Sequence, residues 1–300
     1  MPIKALLALM IVAHHISYYS DSEAIQLFYH LGAPIVSVFL FISGYGLVIS
    51  YRKDGRHYLD TFFKRRILAI FVPFALTVLV HMLLDFDAYS DVVGLLANMS
   101  HGVLPLSNTW YVFAILYFYL IFWLSYRFLP FRARLFSIAV GSVLYIVTLR
   151  LLNFAQCWYI SALGFAAGTA LAEFGFKFER LKSDAVLLAA SVMAGGAFFF
   201  LGSSWSYQLC YIFIPIAFAA AVAMLPLEKL NVAPVRFLGE ISYSVYLCQM
   251  IVIQPIWENG LGLDSQLLKL LLSYVAIIVL AQLITLAGRK ILALCPSHQS

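Results

Sequence analysis

The sequence predicts an all-α polytopic membrane protein, a bundle of about ten transmembrane helices with both termini in the cytoplasm. Of the 300 residues, 63% are hydrophobic and only 11% are charged, whereas soluble domains are about 25% charged. The apolar residues form continuous runs near the length that crosses a bilayer, about 20 residues. An open sheet could not satisfy its backbone groups in lipid. The composition therefore excludes a cytosolic enzyme and a nucleic-acid-binding module.

Ten apolar runs, separated by polar or charged breaks, are the predicted spans. They cover about residues 3–19, 31–51, 66–84, 109–129, 134–152, 155–175, 184–201, 207–226, 239–257 and 266–288. Pro130 closes the fourth run, because proline cannot continue a helix. The four cysteines show neither a CxxC pair nor metal-ligand spacing, so no metal site is predicted. We interpret residues 1–300 as one integral-membrane domain.

The basic residues supply the orientation. With the N-terminus inside, all but two of the 19 Lys and Arg residues fall on the inner side, as the positive-inside rule requires. The two exceptions are Arg150 and Lys269. The inner residues are Lys4, Arg52, Lys53, Arg56, Lys64, Arg65, Arg66, Arg127, Arg132, Arg134, Lys177, Arg180, Lys182, Lys229, Arg236, Arg289 and Lys290. This asymmetry supports both the span count and cytoplasmic termini.

Two adjacent histidines, His14 and His15, lie deep in the first run. At 1.5 Å per residue, His15 stands roughly 16 Å from Lys4, near the middle of the membrane. A titratable side chain at that depth is costly and is a functional-site hypothesis by default, and an imidazole suits general-base chemistry. The alternative is a neutral histidine bonded to another helix. Because the two rings point about 100° apart, we expect only one to face a site.

A basic cluster opens the third run at Lys64, Arg65 and Arg66. Arginine forks match phosphate oxygens, so the cluster could hold a phosphorylated donor such as a coenzyme A thioester. Simple topogenic contact with lipid headgroups is the alternative interpretation, and residue type alone favours it.

Several other residues are weaker candidates. Ser43 and the following glycine would allow close helix approach. Trp110 and Tyr111 could stack on a sugar face, although interfacial aromatic residues are common. Arg150 breaks the positive-inside pattern, so we expect it to pair with an acid or to line a polar cavity.

Five short motifs occur in a fixed order along nearly the whole chain. They are Lys4 and His15 separated by ten residues, VSVFLFISGY at 36–45, RRILA at 65–69 followed by Pro73, WYV at 110–112, and LGEISYSVYLCQ at 238–249. This order resembles the acyltransferase-3 family of integral-membrane O-acyltransferases, which acylate surface polysaccharides and related acceptors.

Four positions depart from the family pattern. Lys4 stands where the family has arginine, Ser37 where it has an acid, Ala69 at the second arginine of a pair, and Gln249 at a histidine. A divergent subfamily with another acceptor and a catalytically degenerate relative therefore both stay open.

The resemblance implies transfer of an acyl group, often acetyl from acetyl-coenzyme A, to a hydroxyl of a carbohydrate or surface-glycan precursor. It implies that His15 is the catalytic base or handles the acyl group during transfer, and that Arg66, Arg65 and Lys4 hold the donor. It also implies a bacterial inner-membrane location.

With this activity, we expect the acceptor to bind in a cavity between the early helices. Its candidate members are His14, Ser43, Trp110, Tyr111 and Arg150. The expected partners are the lipid bilayer, acyl-coenzyme A as co-substrate and a carbohydrate, with no nucleic acid and no permanently bound cofactor. A transporter or flippase is the rival function, although the chain shows no duplicated half of the kind that many transporters have.

Overall fold

The structure, a computed structural model, describes residues 2–175, 181–225, 232–258 and 263–294. In this part of the chain it contains 14 α-helices and no β-strand. The helices are α1 Pro2–Ile16, α2 Glu23–Gln26, α3 Gly32–Asp54, α4 Arg56–Asp60, α5 Ala69–Leu84, α6 Asp87–Ser90, α7 Val92–Ser100, α8 Trp110–Phe128, α9 Phe131–Leu151, α10 Leu163–Glu173, α11 Leu181–Phe200, α12 Ser204–Ala223, α13 Ala233–Trp257 and α14 Gln266–Leu294. A π-helical segment, Phe63–Leu68, leads into α5.

Seven of the described helical stretches are long and apolar enough to cross a membrane. They are Gly32–Asp54, Phe63–Leu84, Ser107–Phe128, Phe131–Leu151, Trp205–Ala223, Ala233–Trp257 and Gln266–Leu294. The predicted all-α, multi-pass architecture is confirmed. The count of about ten is not, because α1 and the stretch Asp184–Phe200 are shorter apolar helices. Lys177, Arg180 and Lys229 of the predicted charge pattern lie outside the described residues.

The chain divides into two compact units. The first draws on Met1–Gly32, Lys64–Val112 and Lys229–Ser300, and the second on Ala33–Phe63 and Phe113–Glu228.

In the first unit, α1, α5 and α13 begin at the same end. Lys4 at the start of α1 lies within electrostatic range of Arg66, just before α5. After α1 ends, Tyr19 hydrogen-bonds to Glu258, which directly follows α13. The helix α14 runs the other way, because its Ser273 accepts a hydrogen bond from Trp257 Nε1 at 3.0 Å. Basic residues at the starts of α1 and α5 therefore share one end of this unit.

The core of the first unit is a buried apolar cluster on three helices. It consists of Ala8, Val12 and Ile16 from α1, Ile241, Val245, Ile253, Ile256 and Trp257 from α13, and Ile277 and Ala281 from α14. These residues recur every three or four positions, which is the spacing of one helix face.

In the second unit, basic residues also gather at one end. Arg52 forms an ion pair with Glu173 at 3.2 Å, and Arg127 pairs with Asp60. The guanidinium of Arg134 lies 4.9 Å from the ring centre of Tyr126. Each unit thus shows the predicted clustering of basic residues, while the orientation in the membrane stays a prediction.

The sixth predicted span, 155–175, differs most from expectation. Its helix α10 has 11 residues, about 16 Å in length, which is shorter than a bilayer core. Its glycines permit very close packing on α3 of the same unit: an added Cβ at Gly168 would lie 2.1 Å from the Phe41 carbonyl oxygen. The small apolar residues of this segment therefore allow α10 to pack closely on α3, and they do not form a helix long enough to cross the bilayer.

Candidate functional site

The ring of His14 is fully engaged by the protein. Its Nδ1 lies 3.1 Å from the Phe28 carbonyl oxygen, and its Nε2 lies 3.1 Å from the Tyr18 hydroxyl. Because a carbonyl can only accept, Nδ1 carries the proton and Nε2 accepts from Tyr18. The side chain is 7% exposed, and an added Cβ at Gly32 would lie 2.2 Å from Nε2. His14 thus fastens α1 to the segment that follows it.

The ring of His15 stands in a different environment. It is half-buried, with its centre 5.1 Å from the His14 ring and 6.2 Å from the Tyr18 ring. Among the described residues, neither ring nitrogen of His15 has a hydrogen-bond partner. A neutral imidazole has one N–H donor and one lone pair, so His15 keeps both groups available to a substrate.

A glutamine side chain holds the turn that follows α1. Gln26 donates through Nε2 to the carbonyl oxygens of Ser17 at 2.8 Å and Ser20 at 2.6 Å. Ser20 Oγ in turn donates to Gln266 Oε1 at 2.9 Å. These contacts satisfy backbone carbonyl groups of the turn that follows α1. They hold this turn directly after the two histidines.

A tyrosine ties the same end of α1 to α13. Tyr19 hydrogen-bonds to the side chains of Gln254 and Glu258. Burial raises the pKa of Tyr19, and the hydrogen bond and negative charge of Glu258 raise it further, to about 12. Tyr19 therefore stays protonated near neutral pH and acts as a hydrogen-bond donor.

The predicted donor residues lie at the other end of α1. Lys4 and Arg65 have exposed side chains and Arg66 is half-buried, and Lys4 and Arg66 are within electrostatic range of each other. Both arginines belong to the π-helical segment Phe63–Leu68, and π-helical turns occur frequently at functional sites. The 11 residues between Lys4 and His15 correspond to about 16 Å along the helix.

Two of the sequence motifs meet in the first unit. Tyr111 is 9% exposed, and its ring centre lies 5.4 Å from that of Tyr246. Asn108 Nδ2 donates to the Tyr246 carbonyl oxygen at 2.6 Å, and the Tyr246 hydroxyl donates to the Asn108 carbonyl oxygen. Sequence reasoning missed this reciprocal pair, because neither residue belongs to a periodic pattern that links the two helices. Trp110 is half-buried beside Tyr111.

Ser43 and Arg150 belong to the second unit. Ser43 is half-buried, and the expected close approach occurs at Gly44, where an added Cβ would lie 2.5 Å from the Phe165 carbonyl oxygen. The guanidinium of Arg150 lies 4.8 Å from the ring centre of Trp205. The site residues predicted from sequence therefore fall in both units.

Two departures from the family pattern have distinct surroundings. Ser37 is fully buried and donates through Oγ to the Tyr211 carbonyl oxygen at 2.8 Å, so a hydroxyl links α3 to α12. Gln249 is also fully buried, and neither its Oε1 nor its Nε2 has a hydrogen-bond partner among the described residues.

Comparison with known proteins assigns the chain to a family. The acyltransferase-3 model, which describes an acyltransferase domain, matches residues 3–288. The chain belongs to the acyltransferase-3 family. No curated protein and no solved structure matches significantly. The resemblance predicted from the five motifs is confirmed, and this acyltransferase-3 protein is a multi-pass membrane acyltransferase.

Proposed function

We propose that this acyltransferase-3 protein transfers an acyl group, such as acetyl, from acyl-coenzyme A to a hydroxyl of a carbohydrate or surface-glycan precursor. The observation that carries the proposal is the contrast along α1: at one end, the imidazole of His15 has no hydrogen-bond partner among the described residues, and at the other end lies a basic cluster. The expected location is a bacterial inner membrane.

His15 is the proposed general base. Its unprotonated nitrogen accepts the proton of the acceptor hydroxyl while the hydroxyl oxygen attacks the thioester carbonyl carbon. The carbon–sulfur bond breaks as the ester forms, and the imidazolium returns the proton to the thiolate. The products are the O-acyl ester and free coenzyme A, and His15 is regenerated.

Arg65, Arg66 and Lys4 are the proposed donor residues. Guanidinium groups match phosphate oxygens in a bidentate manner, and coenzyme A carries several phosphates. The separation of about 16 Å between Lys4 and His15 must be bridged by the donor. This distance favours a donor with a long flexible arm, as coenzyme A has, over a compact acyl phosphate.

Aromatic side chains beside His15 extend the proposed acceptor site. Tyr18 and Tyr29 are 52% and 40% exposed, and their ring centres lie 5.1 Å apart. Exposed aromatic faces can stack on the apolar face of a sugar. His14, Ser43, Trp110, Tyr111 and Arg150 were the acceptor candidates from sequence. Of these, His14 and Tyr111 are buried, so we add the exposed rings of Tyr18 and Tyr29 as surfaces for stacking.

The test is an acyl-transfer assay with the purified full-length protein. Labelled acetyl-coenzyme A and a panel of sugars are supplied, and the products are analysed by mass spectrometry. We expect coenzyme A release and an O-acetyl sugar in equal amounts, with neither above background in His15→Ala. Proton-coupled solute uptake into proteoliposomes without any acyl transfer would contradict the proposal and favour the transporter.

A further inference from the structure

Gln249 carries a buried amide that has no hydrogen-bond partner in the part of the chain that the structure describes. Its side chain is 0% exposed, and both amide atoms lack a partner among the described residues. Nearly all buried polar groups in proteins are hydrogen-bonded, and burying an amide without compensation costs free energy. A primary amide offers two donors and one acceptor, so Gln249 is complementary to a group that both donates and accepts.

Helix periodicity places Gln249 on the face of α13 that meets the core. Val245 lies four residues before it, and Ile253 and Ile256 lie four and seven residues after it. All three belong to the buried cluster that includes Val12 of α1. Because positions four and seven apart lie on one helix face, Gln249 is in the middle of this face.

His15 lies on the corresponding face of α1 and at a similar depth. It follows Val12 by three residues, and α1 and α13 run in the same direction. The contact between Tyr19 and Gln254 gives a common reference: His15 lies four residues before Tyr19, and Gln249 lies five before Gln254. Gln249 and His15 therefore lie at similar depths along their parallel helices.

We propose that Gln249 binds a secondary amide of a substrate next to His15, with its NH₂ donating to the amide oxygen and its oxygen accepting from the amide N–H. This inference rests on the proposed acyl transfer. Two substrates carry such a group: the pantetheine arm of acyl-coenzyme A, which contains two amides, and the N-acetyl group of an amino sugar. Either would satisfy both atoms of Gln249 when it enters.

The first test asks whether Gln249 acts in substrate binding or only stabilises the fold. Gln249→Leu has similar volume and removes the amide, so we expect an unchanged or higher melting temperature and a loss of about tenfold in kcat/KM for acyl transfer. Gln208→Leu in α12 is the matched control, because Gln208 is 1% exposed with its Oε1 unpaired; it should keep full activity. If Gln249→Leu does not fold, Gln249→Met gives a more adaptable replacement.

The second test identifies the amide. On the donor side, S-acetyl-N-acetylcysteamine is compared with an amide-free alkyl thioester of equal length; on the acceptor side, N-acetylglucosamine is compared with glucose. The wild-type protein should prefer one amide-bearing substrate, and Gln249→Leu should lose that preference by about tenfold. Wild-type acyl transfer with the preference unchanged in Gln249→Leu would overturn this inference and leave the proposed function intact. No acyl transfer by the wild type with any donor would overturn both.

Discussion

The two faces of the last turn of α1 differ in how completely the protein satisfies their polar groups. On one face, both nitrogens of His14 are hydrogen-bonded and the ring packs against Gly32. On the other, the nitrogens of His15 have no hydrogen-bond partner among the described residues, and the same is true of the buried amide of Gln249 in α13. Buried polar groups in lipid are normally paired. This contrast supports the proposal that the His14 face is structural and that the His15 face binds a substrate.

Replacing the two histidines separately should give the largest contrast. His15→Gln keeps a polar side chain but removes the base, so kcat should fall by about 10²-fold or more while the melting temperature stays within a few degrees. His14→Gln should lower the melting temperature and leave activity per folded molecule within a few fold. Steady-state kinetics and thermal unfolding measure both. An equal fall of kcat in the two variants would show that His14 and His15 do not differ in their role.

Substitutions at the basic end of α1 should weaken donor binding and leave the rate of the chemical step largely unchanged. Arg66→Gln should raise KM for acyl-coenzyme A about tenfold, with a smaller change in kcat. The matched control is Arg289→Gln at the same end of the unit, where Arg289 pairs with Glu240 in an exposed ion pair. An equal rise in KM in the control would mean that general surface charge, and not Arg66, holds the donor.

Gly32→Ala tests whether the packing of His14 against Gly32 stabilises the fold. The new Cβ would lie 2.2 Å from His14 Nε2, so the ring must move and stability should fall by about 1–3 kcal/mol. Because the clash involves His14, the combination with His14→Ala should cost less than the sum of the two single changes. Strict additivity in a thermal or denaturant series would show that the two residues are not coupled.

Tyr19→Phe should have the smallest effect. Glu258 is exposed, so the lost hydrogen bond should cost only about 1 kcal/mol. The raised pKa of Tyr19, about 12, means that the folded state holds this proton more tightly than the unfolded chain. Its stabilising contribution is therefore complete below about pH 10 and is lost as the pH rises to about 12. Melting temperatures across this range should decline less in the variant than in the wild type.

The fold class and the grouping of charges could be predicted from sequence because both follow from one-dimensional patterns. Apolar runs near bilayer length and alternating basic loops are properties of the chain itself. The shortening of α10 could not be predicted, since its small residues gave an apolar run like any other. Its length depends on how Gly164 and Gly168 contact α3.

The candidate site was predicted only in part. Spacing along α1 identified His14 and His15, but it could not distinguish them. The distinction depends on the Phe28 carbonyl and on Gly32, whose positions follow from the turn after α1 and not from helical periodicity. Gln249 was visible as a departure from the family motif, whereas its burial and unpaired amide required the packing of α13.

Chemical modification of the two histidines tests most directly whether His15 serves the reaction and His14 serves the structure. Diethyl pyrocarbonate reacts with unprotonated imidazole nitrogens, and mass spectrometry of the full-length protein maps each product, with the exposed His57 and His101 as reactive controls. We expect that His15 is modified in step with loss of acyl transfer, that acyl-coenzyme A slows this modification, and that His14 stays unmodified. Modification of His14 in step with inactivation, or full activity with His15 modified, would contradict this expectation.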